Sequence, residues 1–148
     1  MEKVTIRVAT RKDLPEILQL YSQPYMDDGQ VLSLSDAESI FERINEYPNY
    51  RIYVACRDGE TLGTFSVLIM DNLAHMSAPS GIVENVVVAP EWQGKGIGRQ
   101  MMQFAMQKCR ETGCYKLVLS SHKSRGKAHR FYQSLGFEQH GYSFVVMM

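Results

Sequence analysis

An unbroken apolar run, Val86–Ala89, leads directly into a loop with three glycines, and a sequence with helical periodicity follows the loop. The glycines are Gly94, Gly96 and Gly98. A strand that enters a helix through such a loop leaves backbone N–H groups unpaired at the positive end of the helix dipole. Glycine also lets the backbone approach an anion without a Cβ in between. The stretch therefore predicts an anion-binding loop; a turn that only allows close packing of strand and helix is the alternative.

Two familiar phosphate-binding patterns do not fit this loop. The dinucleotide pattern GxGxxG, started at Gly94, requires glycine where Arg99 stands. The GK[ST] ending of a P-loop is broken because Gly96 follows Lys95. The predicted anion site therefore belongs to another kind of glycine loop.

The rest of the chain alternates between strand and helix periodicities. Alternation with period two predicts a strand at residues 4–9, and apolar residues from Leu14 to Tyr21 recur at helical spacing. Ser35 and Glu38 have the spacing of a capping box and predict the start of a second helix. The elements predicted after it are a hairpin at 51–70, a strand at 82–89, a helix from Ile97 to Gly113, a strand at 115–121, a helix that ends at Gly136, and one or two closing strands within 137–148.

The hairpin is the feature that excludes a purely parallel sheet. Its turn, Arg57–Glu60, demands antiparallel neighbours near the middle of the chain. The second half alternates strands and helices, which favours helices on both sides of the sheet. We therefore predict an α/β (α+β) fold, with four helices on both faces of one mixed, largely antiparallel sheet of six to seven strands. The 148 residues suffice for a single domain spanning 1–148.

Charge and cysteine content exclude several classes of protein. Sixteen basic residues balance sixteen acidic ones, so we expect neither nucleic acid nor an anionic membrane as a partner. Cys56, Cys109 and Cys114 form neither a metal-ligand cluster nor an even disulfide set, which is typical of a reducing compartment and predicts no metal site. The N-terminus lacks the apolar core of a signal peptide, and no apolar run reaches the roughly 20 residues of a spanning helix. The sequence thus predicts a cytoplasmic protein.

Two motifs carry a resemblance to a known family. Gln93, Gly96 and Gly98 spell the QxxGxG signature of the GNAT superfamily of acyl-CoA N-acyltransferases, and Phe131–Phe137 reads FYxxLGF. Residues 83–90 resemble the family's fourth strand, and residues 128–137 resemble its fourth helix and the turn beyond. The order of elements is similar over nearly the whole chain. The resemblance implies an enzyme that binds acetyl-CoA and transfers its acetyl group directly to an amine, without a covalent enzyme intermediate.

The resemblance also implies which residues hold the cofactor. Gln93 opens the loop, and the CoA pyrophosphate is held by the backbone amides of Gly94, Lys95, Gly96, Ile97, Gly98 and Arg99. Main-chain groups of Val86, Val87 and Val88 bind the pantetheine arm and the acetyl carbonyl in the manner of an added strand. The side chains of Lys95 and Arg99 add charge near the phosphates; a solvated surface charge is the alternative for each.

Two residues are candidates for catalysis. Tyr132 matches the family's tyrosine beside the cofactor sulfur, where its hydroxyl donates a proton or hydrogen bond to the departing thiolate; periodicity alone favours a core tyrosine. Glu84 interrupts an apolar strand where some members place a base that deprotonates the substrate ammonium, and we expect it to be buried. Exposure by strand splaying, or a basic neighbour, would explain Glu84 without catalysis. The rival bases are His75, His122, His129 and His140.

The cofactor arm and the acceptor involve further candidates. Arg125 stands where many family members have an asparagine that contacts the arm, so that role is not transferred. Arg125 is instead a candidate for binding CoA phosphates or an anionic substrate; a solvated surface charge is the alternative. The acceptor is expected near the loop between the first two helices. There Tyr25 would pack on a cationic amine, and Asp27 and Asp28 would pair with it. Solvation of the loop is the alternative for both aspartates.

These features together predict an acetyl-CoA-dependent N-acetyltransferase that acts on a primary amine. A small-molecule acceptor is favoured because residues 125–132 resemble the arrangement in aminoalkylphosphonate acetyltransferases. A protein lysine or N-terminal acetyltransferase would need an open peptide groove, and a non-catalytic acyl-CoA-binding module would use neither Tyr132 nor Glu84. The sequence leaves open which amine is acetylated and whether the chain forms a homodimer.

Overall fold

The computed structural model describes residues 3–148, which divide into two compact units, one ending at Val118 and one comprising Leu119–Met148. The strands are β1 Thr5–Val8, β2 Tyr50–Arg57, β3 Glu60–Met70, β4 Ser80–Val88 and β5 Lys116–Leu119. The helices are α1 Leu14–Tyr21, α2 Leu34–Glu46, α3 Ile97–Thr112 and α4 Gly126–Ser134. Four single 3₁₀ turns occupy Arg11–Asp13, Asp27–Gly29, His75–Ser77 and Pro90–Trp92.

The sheet confirms the mixed α/β fold but has fewer strands than the sequence predicts. Its order within the described residues is β1-β2-β3-β4-β5, and the first four strands pair antiparallel. The prediction of six to seven strands is wrong, because residues 137–148 form no strand. A strand requires a partner ladder, whereas the side chains of this segment are exposed, with Tyr142 at 88% and Phe144 at 92%.

Helices cover both faces of the sheet, as the sequence predicts. Alternate residues of a strand point to opposite faces. Ile52 and Val54 of β2 are buried in one core with Leu14 of α1 and Phe41 of α2. On the opposite face, Tyr53 of β2 packs against α3, which completes the second layer of the core. The glycine loop described below follows the end of β4 and leads into α3.

The helix boundaries follow their capping residues. Pro15 lies in the first turn of α1, and Gly113 ends α3 as predicted, in a left-handed conformation. The predicted capping box at Ser35 is wrong: Ser33 is the N-cap of α2, and its hydroxyl accepts the N–H of Asp36 at 3.2 Å. The carboxylate of Glu38 instead forms an ion pair with Arg11, which joins α2 to the start of α1.

Three observations on the part of the chain that the structure describes concern membrane spans, metal ligands and disulfides. None of its helices is long and apolar enough to cross a membrane. No group of three or more His, Cys, Asp or Glu within residues 3–148 is arranged to hold a metal ion. Cys56, Cys109 and Cys114 are unpaired thiols.

Candidate active site

The glycine loop joins the 3₁₀ turn Pro90–Trp92 to helix α3. Gly94 and Gly96 have φ values of 74° and 87°, in the left-handed region, and a Cβ at either position would have nothing within 4 Å. The glycines are therefore required by backbone conformation and leave open space above the loop. Gln100 N–H makes the first helical bond of α3, to the carbonyl oxygen of Gly96 at 3.2 Å. The N–H groups that precede it lie at the positive end of the helix dipole.

Gly98 and Ile97 have a different role from the two left-handed glycines. Both lie in the first turn of α3, and the Ile97 side chain is buried. Ile97 therefore anchors the beginning of α3 in the core. Any contribution from either residue to an anion site is made by the peptide group.

Side chains fasten this loop to the end of β4. Gln93 Nε2 donates to the Val88 carbonyl at 3.2 Å, and Gln23 Nε2, from the segment after α1, donates to the same carbonyl at 3.2 Å. The Lys95 ammonium lies 4.9 Å from the centroid of the Trp92 ring, which is a cation–π distance. Arg99 is exposed on α3. The sequence placed these side chains at the loop but did not predict the contact with Trp92.

Strand β4 is irregular immediately before the loop. Ser66 of β3 pairs with Glu84, whereas Thr64 pairs with Val87, so two β4 residues lie opposite one β3 residue. Asn85, one of those two, has a φ of 54° in the left-handed region. This is a β-bulge, which bends the strand and redirects the groups beyond it.

The later half of β4 extends past the aligned part of β5. Tyr115 N–H donates to the Pro79 carbonyl at 3.0 Å, and a Cβ on Gly81 would lie 3.0 Å from Leu117 Cδ1. The two strands therefore begin side by side and run in the same direction. Because β4 has nine residues and β5 has four, the last residues of β4 have no strand beside them on this side within the unit that ends at Val118. We call this side of β4 the free edge. A sheet edge of this kind can accept an extended ligand.

The main-chain groups on that edge can be assigned by alternation. Ala89 N–H donates to the Leu62 carbonyl of β3 at 2.8 Å. Successive residues direct their peptide groups to opposite edges of a strand. Val87 therefore faces β3, and its side chain is 1% exposed. Val86 and Val88 direct their peptide groups to the free edge, although the Val88 carbonyl already accepts two side-chain bonds.

Glu84 is exposed, so the expectation of burial is wrong. The bulge beyond it and the free edge beside it leave the carboxylate in contact with water, which is the splayed-strand alternative. Paired residues share a face of the sheet, so Glu84 lies on the same face as Ser66, which is 1% exposed. Burial raises the pKa of Tyr50, and the nearby Glu84 carboxylate raises it further. Glu84 therefore has tyrosine and serine hydroxyls as neighbours.

Tyr21 of α1 is a further tyrosine near Tyr50. Its phenol lies near the Thr64 hydroxyl, and burial raises the pKa of Tyr21 to about 12. The Thr64 hydroxyl donates to the carbonyl of Tyr53 at 2.8 Å. Neither Tyr21 nor Tyr50 was a candidate from the sequence, because Tyr21 belongs to the apolar stripe of the first helix and Tyr50 precedes the predicted hairpin.

Tyr132 lies in α4, within the unit Leu119–Met148. Its ring packs against Phe131 at a centroid distance of 5.2 Å and against Phe137 at 5.8 Å. The side chain is half-buried. The FYxxLGF motif thus forms an aromatic cluster that fixes the orientation of the Tyr132 ring.

Arg125 precedes α4 and takes part in the turn that starts it. Its N–H donates to the His122 carbonyl at 2.9 Å, and its carbonyl accepts His129 N–H at 3.1 Å. His129 Nε2 lies 2.8 Å from the same His122 carbonyl, and His122 Nδ1 lies 2.7 Å from Ser124 Oγ. Both histidines are therefore engaged in local structure. Ser121 Oγ is buried without a hydrogen-bond partner in the described residues, a feature that the sequence did not indicate.

The predicted acceptor residues lie in the segment between α1 and α2. Tyr25 is 48% exposed. Asp27 and Asp28 have left-handed φ values of 45° and 54° in the 3₁₀ turn Asp27–Gly29 and are exposed. Gly29 N–H closes the turn on the Met26 carbonyl at 2.8 Å. The turn is compatible both with solvated aspartates and with an acceptor that approaches from solvent.

Comparison with known proteins identifies acetyltransferases as relatives over most of the chain. The sequence profile described as "Acetyltransferase (GNAT) family" matches residues 14–137. Aminoglycoside N(6')-acetyltransferase type 1 from Stenotrophomonas maltophilia is 32% identical over 143 residues, which are 91% of this chain and 86% of that protein. Aminoalkylphosphonate N-acetyltransferase from Salmonella typhimurium is 33% identical over 98 residues, 66% of this chain and 63% of that protein. The crystal structure of glucosamine-6-phosphate N-acetyltransferase from Arabidopsis thaliana superposes with a TM-score of 0.86 at 25% identity and covers 99% of both chains.

Proposed function

Because the chain belongs to the acetyltransferase (GNAT) family, we propose that it moves an acetyl group from acetyl-CoA directly to a primary amine of a small molecule. It is an N-acetyltransferase of the GNAT type, and curated relatives act on aminoglycosides and on aminoalkylphosphonates. The family match covers parts of both compact units, which supports one acetyltransferase domain spanning 1–148. The unpaired cysteines support a cytoplasmic location.

The observation that carries the proposal is the left-handed glycine loop at the start of α3. Its N–H groups and the space above Gly94 and Gly96 fit a pyrophosphate. We assign the pyrophosphate to the amides of residues 94–99, with the Gln93 side chain holding the loop against β4. Lys95 and Arg99 supply positive charge, as does Arg125 in the second unit. Acetyl-CoA supplies the activated acetyl group when it is bound.

The free edge of β4 fits the extended arm of the cofactor. Val86 and Val88 direct peptide groups to that edge, so we assign main-chain contacts to them, while Val87 supports the strand from the core. Such contacts resemble the addition of a strand to a sheet.

Glu84 and Tyr132 are assigned the two proton-handling roles. An alkylamine is almost wholly protonated at neutral pH, since its pKa is near 10.4, and only the free amine can attack a thioester. Glu84, exposed beside the bulge, accepts the ammonium proton directly or through water. Tyr132 donates a hydrogen bond or proton to the departing sulfur. Tyr25, Asp27 and Asp28 contact the remainder of the acceptor from the loop after α1.

An amine panel monitored by release of free thiol tests the proposal. It contains polyamines, aminoglycosides, amino acids, aminoalkylphosphonates and peptides. Transfer to a small amine at a rate well above hydrolysis is the expected result. Transfer to peptides alone would favour a protein acetyltransferase. Binding of CoA without any transfer would favour a non-catalytic acyl-CoA-binding module.

A further inference from the structure

A row of polar side chains crosses one face of the sheet next to Glu84. Ile52 of β2 pairs with Ser66 of β3, and Ser66 pairs with Glu84 of β4. Paired residues share a face, and so do residues two apart on one strand. Tyr50, two residues before Ile52, therefore lies on the face of Ser66 and Glu84. The Tyr50 phenol lies near both the Ser66 hydroxyl and the Glu84 carboxylate within this row.

A second tyrosine extends the row to the end of α2. The Tyr47 ring lies edge-on to the Tyr50 ring, with 5.7 Å between centroids and 69° between planes. Tyr47 is 54% exposed, so its ring is open to a ligand. Arg51 fixes this corner of the backbone, because its guanidinium donates to the Tyr47 carbonyl at 2.9 Å and the Tyr50 carbonyl at 2.6 Å. Tyr50, which lies near Glu84, is thus held in contact with the Tyr47 ring.

We propose that Tyr47, Tyr50 and Glu84 form the acceptor subsite, and that it selects an aliphatic amine whose remainder is cationic or uncharged over one that carries a phosphonate or phosphate. The proposal rests on the proposed acetyl transfer. Within it, Tyr50 and Tyr47 are binding and positioning residues, and Glu84 is the group that takes the proton.

The chemistry of the row explains the selection. Glu84 provides a negative charge that pairs with an ammonium and repels an acidic substituent on the same molecule. The faces of the Tyr47 and Tyr50 rings attract cations. The pKa of Tyr50 is raised by burial and by Glu84, so the phenol remains a neutral hydrogen-bonding group at physiological pH. These three side chains offer no positive charge to an anionic substituent.

Three amines of similar length test the selection. They are 1,4-diaminobutane, n-butylamine and 3-aminopropylphosphonate, each measured for kcat/KM with acetyl-CoA saturating. We expect the order diamine, monoamine, phosphonate, and we expect the spread to shrink at high ionic strength because exposed charges are screened. Calorimetric titration of 1,4-diaminobutane into the protein saturated with CoA measures binding without turnover. A preference for 3-aminopropylphosphonate would overturn the proposal.

Matched variants separate binding from structure. Tyr47→Leu removes a ring and should raise KM for the diamine by about 2- to 5-fold, whereas Tyr47→Phe keeps the ring and should behave as wild type. Tyr50→Phe removes the hydroxyl and should raise the acceptor KM by about 2- to 10-fold. Tyr53→Phe removes a hydroxyl from the opposite face of the same strand and should leave it unchanged. KM for acetyl-CoA should be unaffected in all four.

The outcomes distinguish this inference from the proposed function. If the wild type acetylates these amines but Tyr47→Leu and Tyr50→Phe retain its acceptor KM, the subsite is wrong and the acetyltransferase assignment stands. If no amine is acetylated and the diamine does not bind, both are wrong. Diamine binding that is weakened by Tyr47→Leu and not by Tyr47→Phe supports the subsite independently of turnover.

Discussion

At the residue scale, Tyr132 offers a test confined to one oxygen atom. Tyr132→Phe keeps the ring that packs between Phe131 and Phe137 and removes only the hydroxyl. If that hydroxyl stabilises charge that develops on sulfur, kcat should fall about 10²-fold or more while affinity for acetyl-CoA is preserved. Steady-state kinetics and calorimetric titration of CoA measure the two quantities.

The Tyr132 experiment requires a control and a rate-limiting chemical step. Tyr142→Phe removes a phenol hydroxyl from a side chain that is 88% exposed and should leave kcat unchanged. The absence of a solvent-viscosity effect would establish that product release does not limit turnover. Under those conditions, a normal kcat for Tyr132→Phe would make the side chain a packing residue.

Glu84 makes a second prediction at this scale. Glu84→Gln preserves shape but cannot accept a proton, so it should lower kcat/KM and remove or move the acidic limb of the pH–rate profile. Acetyl-CoA binding should be unchanged, because the cofactor contacts assigned on β4 are main-chain groups of Val86 and Val88 and do not involve the Glu84 side chain. Glu111→Gln, at an exposed position of α3, is the control. Retention of both the rate and the profile would assign the base to water or a histidine.

Single residues also show where the sequence was informative. The left-handed conformations of Gly94 and Gly96 could be predicted because they depend on local backbone geometry. The proximity of Tyr50 to Glu84 could not be predicted, because it depends on pairing between strands that are distant in the sequence. The exposure of Glu84 follows from the bulge at Asn85. The strand-like sequence around these residues gives no indication of a bulge.

At the scale of elements, helix α3 is capped at both ends by glycines with similar conformations. Gly96 and Gly113 flank its two ends, have φ values of 87° and 76°, and would each accommodate a Cβ with nothing within 4 Å. Valine at either position must adopt a left-handed conformation, at a cost of about 1–2 kcal/mol. Only Gly96 lies in the proposed pyrophosphate loop. Gly96→Val should therefore weaken CoA binding about 10- to 100-fold, the scale of hydrogen bonds to a charged group.

Gly113→Val is the control for that experiment. It should lower the free energy of unfolding by a similar amount, measured by urea denaturation, without a change in CoA affinity. Equal losses of affinity in the two variants would attribute the effect to general destabilisation of α3. Unchanged affinity in folded Gly96→Val protein would remove the loop from the cofactor site.

Helices and strands were predictable where the spacing of apolar residues agreed with the turn and capping residues at the ends of the element. The β2–β3 hairpin has a turn sequence at Asp58 and Gly59 and apolar strands on both sides, and it forms as predicted. Residues 137–148 have a strand-like composition, but a strand exists only where a partner supplies the ladder, and composition cannot identify that partner. The N-cap of α2 moved from Ser35 to Ser33 because both serines satisfy the same local rule.

At the scale of the whole molecule, one ion pair connects the first strand to the first helical turn. The Arg7 guanidinium donates two hydrogen bonds to Asp13, at 2.7 and 2.9 Å, and Asp13 also accepts the Thr10 N–H at 2.7 Å. Asp13 is 7% exposed. The hydrogen bonds from Arg7 hold the pKa of the Asp13 carboxyl below its usual value. Folding therefore favours the ionised form of this carboxyl.

The last prediction follows from that linkage between ionisation and stability. A carboxyl whose folded pKa is depressed stabilises the fold above its unfolded pKa, about 3.9, and this contribution disappears as pH falls through the folded pKa. Asp13→Asn should lower the free energy of unfolding at pH 7 by about 1–3 kcal/mol, because it removes charge-assisted hydrogen bonds. The difference from wild type should shrink below about pH 4. Urea denaturation from pH 7 to pH 2.5 measures it, with exposed Asp71→Asn as the control. A difference that stays constant over this range would mean that Asp13 contributes shape and hydrogen bonding without contributing its charge.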